Sequence, residues 1–277
     1  MATLAARLSL ALLLAAPGTP GTPGVLAAAQ EPEVGQPGKD VIWVPTPPEM
    51  AERMLDLAGV TPQDVVFDLG SGDGRLVIAA AKRGARAVGV EYDDLLVAAS
   101  RRAADQAGVA HLARFQQGDM YEAEISEATV LALFLLPSNL ERLRDKFLQL
   151  PPGSRIVINT YEIPDWAPDD VTWMDSCDAW CAAKLWIVPA AVAGTWRTPD
   201  GELRLTQRFQ QVQGTLGTRD ATAPLRDATL RGGTFSFAAG DAVYSGQVRG
   251  NTIEGTVTGD GRSRPWTATR IAGAAAR

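Results

Sequence analysis

The residues best suited to chemistry in this sequence lie in Asp68-Leu69-Gly70-Ser71-Gly72-Asp73-Gly74-Arg75. Glycines at every second position let a backbone turn sharply and approach a ligand with no Cβ in the way. Val65-Val66-Phe67 precede them as a buried strand would, and Arg75 to Lys82 read as a helix closed by Gly84. Strand, glycine turn and helix N-terminus make the nucleotide crevice of a doubly wound α/β sheet. The spacing is G-x-G-x-G, not the G-x-G-x-x-G of dinucleotide sites. Asp68 and Asp73 set acid beside the turn, where a pyrophosphate would be repelled and a ligand carrying an amino group and a sulfonium would be attracted.

A second acid stands where a ribose ligand is expected. The strand Ala87-Val88-Gly89-Val90 ends on Glu91, and an acid about 20 residues beyond such a turn accepts from sugar hydroxyls. Its alternative is an ordinary surface carboxylate. Tyr92 beside it is placed to stack on a base.

Together these features resemble motif I of the class I (seven-strand) S-adenosylmethionine-dependent methyltransferases. The resemblance implies cofactor contacts from Gly70, Ser71, Gly72 and Gly74, with Asp68 toward the amino-acid end and Glu91 on the ribose. It also implies that Asp119 accepts from the adenine amino group while Met120 lies against the ring, although Gly118-Asp119 alone reads as a turn. Val44-Pro45-Thr46-Pro47, the glycine segment, Val88-Gly89-Val90-Glu91 and Leu135-Leu136-Pro137 narrow the likeness. They resemble bacterial relatives of the mitochondrial lysine methyltransferases that modify the c-type polypeptide of ATP synthase. Thr46 would then close over the cofactor, Leu135 would sit by the methyl group, and a protein lysine would be the acceptor.

Methyl transfer needs alignment in a dry channel rather than a metal or a histidine. No general base stands out; Asn139, Tyr161 and Glu162 are candidates by position. Thr46 with Glu49, and Ser138 with Glu141, have capping-box spacing ahead of helices with Met50, Met54 and Leu57, and with Leu140, Leu143 and Phe147, on their inner faces. Asp94 to Gly108 reads as an amphipathic helix. Ala113–Gln117, Thr129–Leu135 and Arg155–Tyr161 read as strands, and Val171–Trp173 with Leu185–Val188 as a closing antiparallel pair. Cys177 and Cys181 lie between these last two and are either a disulfide or two free thiols.

From Pro189 the composition shifts to Gly, Thr, Arg and Gln in short alternating runs, with a hairpin signal at Gly250-Asn251. The expected fold class is therefore α/β: a doubly wound Rossmann-like methyltransferase sheet over residues 41–188, then a small antiparallel β-sandwich or barrel over 189–277. Residues 1–29 have the pattern of a signal peptide, with Arg7 before the apolar run Leu8–Ala16 and Ala27-Ala28-Ala29 as a cleavage site. That implies export or a periplasmic location; a mis-assigned start codon would instead leave the protein cytoplasmic. The apolar run is too short to span a membrane. Residues 30–40 read as a polar spacer with little fixed structure.

A net charge of -6 and a pI near 5.0 argue against a nucleic-acid partner. Nor does Leu135-Leu136-Pro137 match the Asn/Asp-Pro-Pro-aromatic motif of nucleic-acid amino-methyltransferases. The sequence thus supports an S-adenosylmethionine-dependent methyltransferase acting on a protein lysine or a small molecule. The alternatives are an exported, non-catalytic binding protein on a degenerate methyltransferase fold, and an NAD-dependent oxidoreductase, which the glycine spacing and Asp68 disfavour.

Overall fold

The computed structural model describes residues 32–175, 177–217 and 221–272. The signal-peptide expectation for residues 1–29 lies outside them. Among the described residues two sheets form, and both belong to one compact unit that runs from Glu31 to Arg277.

The first sheet has seven strands in the order β3-β2-β1-β4-β5-β7-β6. Parallel strands β1 (Val65–Leu69), β2 (Arg86–Glu91), β3 (Ala113–Gln117), β4 (Val130–Leu133) and β5 (Arg155–Asn159) carry the crevice, and β6 (Asp170–Trp173) with β7 (Ala182–Ile187) close the far edge antiparallel. β1 and β4 are apolar almost throughout because both faces are covered. Alternate residues feed two cores. Val66, Val130, Ala132 and Val157 pack beneath α1 (Pro48–Leu57), α2 (Arg75–Lys82) and α3 (Asp94–Gln106), while Phe67, Leu131, Leu133 and Ile156 meet α4 (Pro137–Phe147) on the other side.

The amino end of the sheet is tied by one buried ion pair. Asp64 is 6% exposed, and its carboxylate accepts from Arg155, from the Thr129 hydroxyl and from the Thr61 amide and hydroxyl. Burial pushes its pKa up, but the Thr129 and Thr61 hydrogen bonds and the Arg155 charge outweigh that and leave it lowered. The pair joins the starts of β1, β4 and β5.

Neither capping box forms. Pro47 is the N-cap of α1 and Leu136 that of α4, each without a side-chain cap, and a proline opens both helices. Proline at the first position already removes an amide that would need a partner. Thr46 is instead buried, with its carbonyl accepting from Arg75, and Ser138 lies inside α4. The capped helix is α3, where the Asp93 carboxylate accepts from the Leu95 and Leu96 amides. Leu55 rather than Leu57 completes the buried face of α1.

The second sheet is one antiparallel run of nine strands, ordered β11-β10-β9-β8-β16-β15-β14-β13-β12. Its members are β8 (Gly194–Arg197), β9 (Glu202–Arg208), β10 (Gln211–Gly217), β11 (Thr222–Pro224), β12 (Arg226–Arg231), β13 (Thr234–Ala239), β14 (Ala242–Arg249), β15 (Thr252–Gly259) and β16 (Arg262–Ala272). It wraps around Trp196, Phe235, Phe237, Tyr244 and Trp266 as a nearly closed barrel rather than a sandwich. Gly250 turns the β14–β15 hairpin with φ +59°, as the Gly-Asn signal predicts.

The barrel is bound to the first sheet. Phe209 stacks on Trp166 at 5.2 Å, Gln210 donates to the Ala167 carbonyl, and the Ala190 amide donates to the Gly232 carbonyl. The connecting segment is clamped by Arg270, which lies 4.1 Å over the Trp196 ring and donates to the Ala191 and Ala193 carbonyls. No helix among the described residues is long and apolar enough to cross a membrane.

Because Asp64 is an acid with a lowered pKa, its stabilisation is present above the unfolded carboxyl value and is lost as pH falls through the folded one. Asp64→Ala should cost about 3 kcal/mol in urea unfolding at neutral pH by removing the acceptor of Arg155, Thr129 and Thr61, with Arg155 keeping only the Ala58 and Gly59 carbonyls. The deficit relative to the native chain should shrink in acid.

Candidate functional site

The carboxyl ends of β1, β2 and β3 open into a crevice of about 630 Å³, counting its mouth. Gly70, Glu91, Tyr92, Asp119 and Met120 line it, together with Gln36, Lys39, Trp43 and Phe134.

The glycine turn is held on both sides. The Gly70 and Ser71 amides both donate to the Val90 carbonyl, at 2.8 and 3.1 Å. The Gly72 amide donates to Glu91 Oε2 at 2.8 Å, and the Gly72 carbonyl accepts from the buried Ser100 hydroxyl at 2.9 Å. Glu91 Oε1 accepts from the Asp93 amide, so the carboxylate is fixed before any sugar arrives. Gly72 is required twice: its φ is +54°, and an added Cβ would stand 2.5 Å from the Trp43 indole nitrogen. A Cβ at Gly74 would come within 2.5 Å of Phe115.

The other predicted contacts build the wall from behind. Thr46, Asp68, Ser71 and Leu135 are all buried. Leu135 packs at Gly70, and the Ser71 side chain faces Gly89 across to β2. The carboxyl of Asp68 is driven well above the usual range by burial first, then by the charges of Glu91 and Asp73. Asp73 is paired with Arg75, which leaves the buried Asp68 behind the glycine turn and Glu91 in the lining as the carboxyls able to favour a cation. An amino group and a sulfonium meet that requirement, so the residues present fit S-adenosylmethionine.

At the base end, Lys39 Nζ lies 2.5 Å from Asp119 and 5.2 Å from the centre of the Tyr92 ring. This hydrogen bond, aided by the Tyr121 amide, lowers the Asp119 pKa. Residues 32–40 are therefore not a loose spacer. Gln36 donates to Asp93, its backbone carbonyl accepts from the Trp43 amide, and Pro37 bridges Ile42. The segment forms a strap along one side of the crevice.

The catalytic candidates separate. Asn139 is buried and donates to the Tyr121 hydroxyl, outside the crevice lining. Glu162 is exposed and pairs with Lys184. Tyr161 stacks on Phe134 at 6.0 Å and so reaches the crevice through that ring. Among the described residues no cluster of His, Cys, Asp and Glu could hold a metal ion.

Residues 68–170 match the family model described as the ANTKMT methyltransferase domain. A protein-lysine N-methyltransferase of Saccharolobus islandicus is 42% identical over 134 residues, covering 47% of this chain and 83% of that protein. This chain belongs to the class I S-adenosylmethionine-dependent methyltransferases. An adenine nucleotide translocase lysine N-methyltransferase of Mus musculus is 34% identical over 54% of the chain and 61% of its own length. The solved structure of an RNA methyltransferase from Salinibacter ruber, bound to S-adenosyl-L-homocysteine, is 47% identical with a TM-score of 0.50, covering 52% of this chain and 94% of that one. The methyltransferase assignment rests on the first sheet; β8 to β16 lie beyond the family match.

Asp68 is an acid with a raised folded pKa, so the ligand-free protein loses stability as pH rises from the unfolded carboxyl value through the folded one. Asp68→Asn should therefore stabilise the ligand-free protein at neutral pH by on the order of 1–2 kcal/mol in urea unfolding. The same change should weaken S-adenosylmethionine binding at least tenfold by calorimetry. A less stable variant would mean that Asp68 has a partner in the ligand-free state.

Proposed function

We propose that this methyltransferase acts on the side-chain amine of a protein lysine. The observation that carries the reading is the acid-lined crevice that Phe134 borders, and a lysine methyltransferase matched over 83% of its own length supports it. The bound cofactor would supply an electrophilic methyl on a sulfonium, flanked by Asp68 and Glu91 and backed by Leu135. Phe134 and Tyr161 would position the unprotonated amine of the acceptor for displacement at that methyl group. The amine would shed one proton to solvent to become reactive, and its desolvation on entering the crevice would favour that loss by disfavouring the charged form.

A second reading has RNA as the acceptor, favoured by the Salinibacter ruber structure. The net charge of -6 weighs against it.

The leader-like pattern of residues 1–29 and the pairing of Cys177 with Cys181 support an exported enzyme in an oxidising compartment. The cofactor would then have to reach it from outside the cytosol. A cytoplasmic location remains the reading if the leader is not translated.

Tritiated S-adenosylmethionine offered with poly-L-lysine or with total RNA tests the acceptor. Label recovered as methyl-lysine after hydrolysis is the expected result, lost in Gly72→Arg. Label confined to RNA would favour the second reading, and an enzyme that binds cofactor but labels neither would leave a small-molecule acceptor.

A further inference from the structure

The β6–β7 hairpin ends in a loop closed by a disulfide between Cys177 and Cys181, with Cα atoms 5.6 Å apart. This loop lies beyond the matched methyltransferase domain, which ends at residue 170. It is anchored beside the site. The Met174 amide donates to the Cys181 carbonyl, and the next residue, Ala182, accepts from the Thr160 amide just past β5. Inside the loop Trp180 has φ +58°, a conformation that non-glycine residues rarely keep unless their surroundings impose it.

That backbone turns the Trp180 indole edge-on to Phe134, with ring centres 5.7 Å apart and planes at 70°. Phe134 also stacks on Tyr161 at 6.0 Å, and Phe134 itself lines the cofactor crevice. Three rings from the ends of β4, β5 and the hairpin thus meet at the exit of the crevice. Trp180 is 36% exposed, although Phe134 shields one side of it. Asp178, in the same loop, is exposed on the rim. Aromatic faces attract an ammonium through their quadrupole and stack along its alkyl stem, and tryptophan does so most strongly.

We infer that Trp180, presented by the disulfide loop, forms with Phe134 and Tyr161 the subsite that takes the alkylammonium side chain of the methyl acceptor. The inference rests on the lysine reading above and gives the acceptor a place to bind. Trp180 acts as a specificity residue: it selects a cationic chain before proton loss and methylation. Reduction of the disulfide would release it.

The test is steady-state transfer from S-adenosylmethionine to poly-L-lysine by the native enzyme, Trp180→Ala, Trp180→Phe and the double variant Cys177→Ser/Cys181→Ser. Trp180→Ala should raise KM for poly-L-lysine about tenfold, with KM for S-adenosylmethionine unchanged within about twofold. Trp180→Phe should recover most of the loss, and the double variant should resemble Trp180→Ala. Should the alanine variant fail to fold by circular dichroism, the native enzyme assayed with and without dithiothreitol should show the same KM shift. A native enzyme that labels lysine with no change in Trp180→Ala, or with both KM values moving together, overturns the inference alone. A native enzyme that binds S-adenosylmethionine but labels no lysine overturns the acceptor reading and this subsite with it.

Discussion

The Val90 carbonyl receives two amides of the glycine turn, and that contact decides where the rest of the site can lie. It brings the end of β1 onto the end of β2, so the carboxylate of Glu91 reaches the Gly72 amide and the acids Asp68, Asp73 and Glu91 share one corner. Burial of Asp68 in that corner opposes folding of the empty protein, because a buried carboxyl without a cation is either neutral or costly, whereas Asp73 already has Arg75. The arrangement persists because β1 is packed on both faces and the turn is fixed from two sides. Binding of a cationic cofactor offsets a penalty that the fold carries in its absence.

The barrel gives that sheet a second wall. Trp166 is fully covered between the cores, its ring on Phe209 and its carbonyl accepting from the Trp186 indole. The segment before β8 leaves no slack, since Gln207 accepts from the Val192 and Ala193 amides while Arg270 donates to the Ala191 and Ala193 carbonyls. The contact involves the closing strands and the loop after β5, not the glycine turn. The barrel therefore bears on the acceptor half of the methyltransferase fold, and the cofactor half stands independent of it.

What was legible in the sequence follows the same division. β1, β2, β4 and the glycine turn are written in local runs, because a doubly covered strand is continuously apolar and the turn tolerates little but glycine. Both capping boxes misled, since Pro48 and Pro137 open their helices without a side-chain cap, and the cap that exists, Asp93, lies two residues past Glu91. The strap of residues 32–40 has no periodicity to read. Its order comes from Gln36 on Asp93 and Lys39 on Asp119, partners 57 and 80 residues away. Phe134, Tyr161 and Trp180 likewise share no local pattern and meet only because β4, β5 and β7 are neighbours in the sheet.

The disulfide loop and the barrel both lie beyond the matched domain, and the loop carries Trp180 onto Phe134. A short loop closed by a covalent link needs no large core to hold its shape, so one exposed tryptophan can be presented with little ordering left to do on binding. A methyltransferase needs its acceptor preorganised more than it needs a strong base, because the reaction is a single displacement whose barrier falls with alignment. In the subsite inferred above, Phe134 and Tyr161 come from the matched domain and Trp180 alone comes from a loop beyond it, so the common fold would align the reactants and the added loop would select the acceptor.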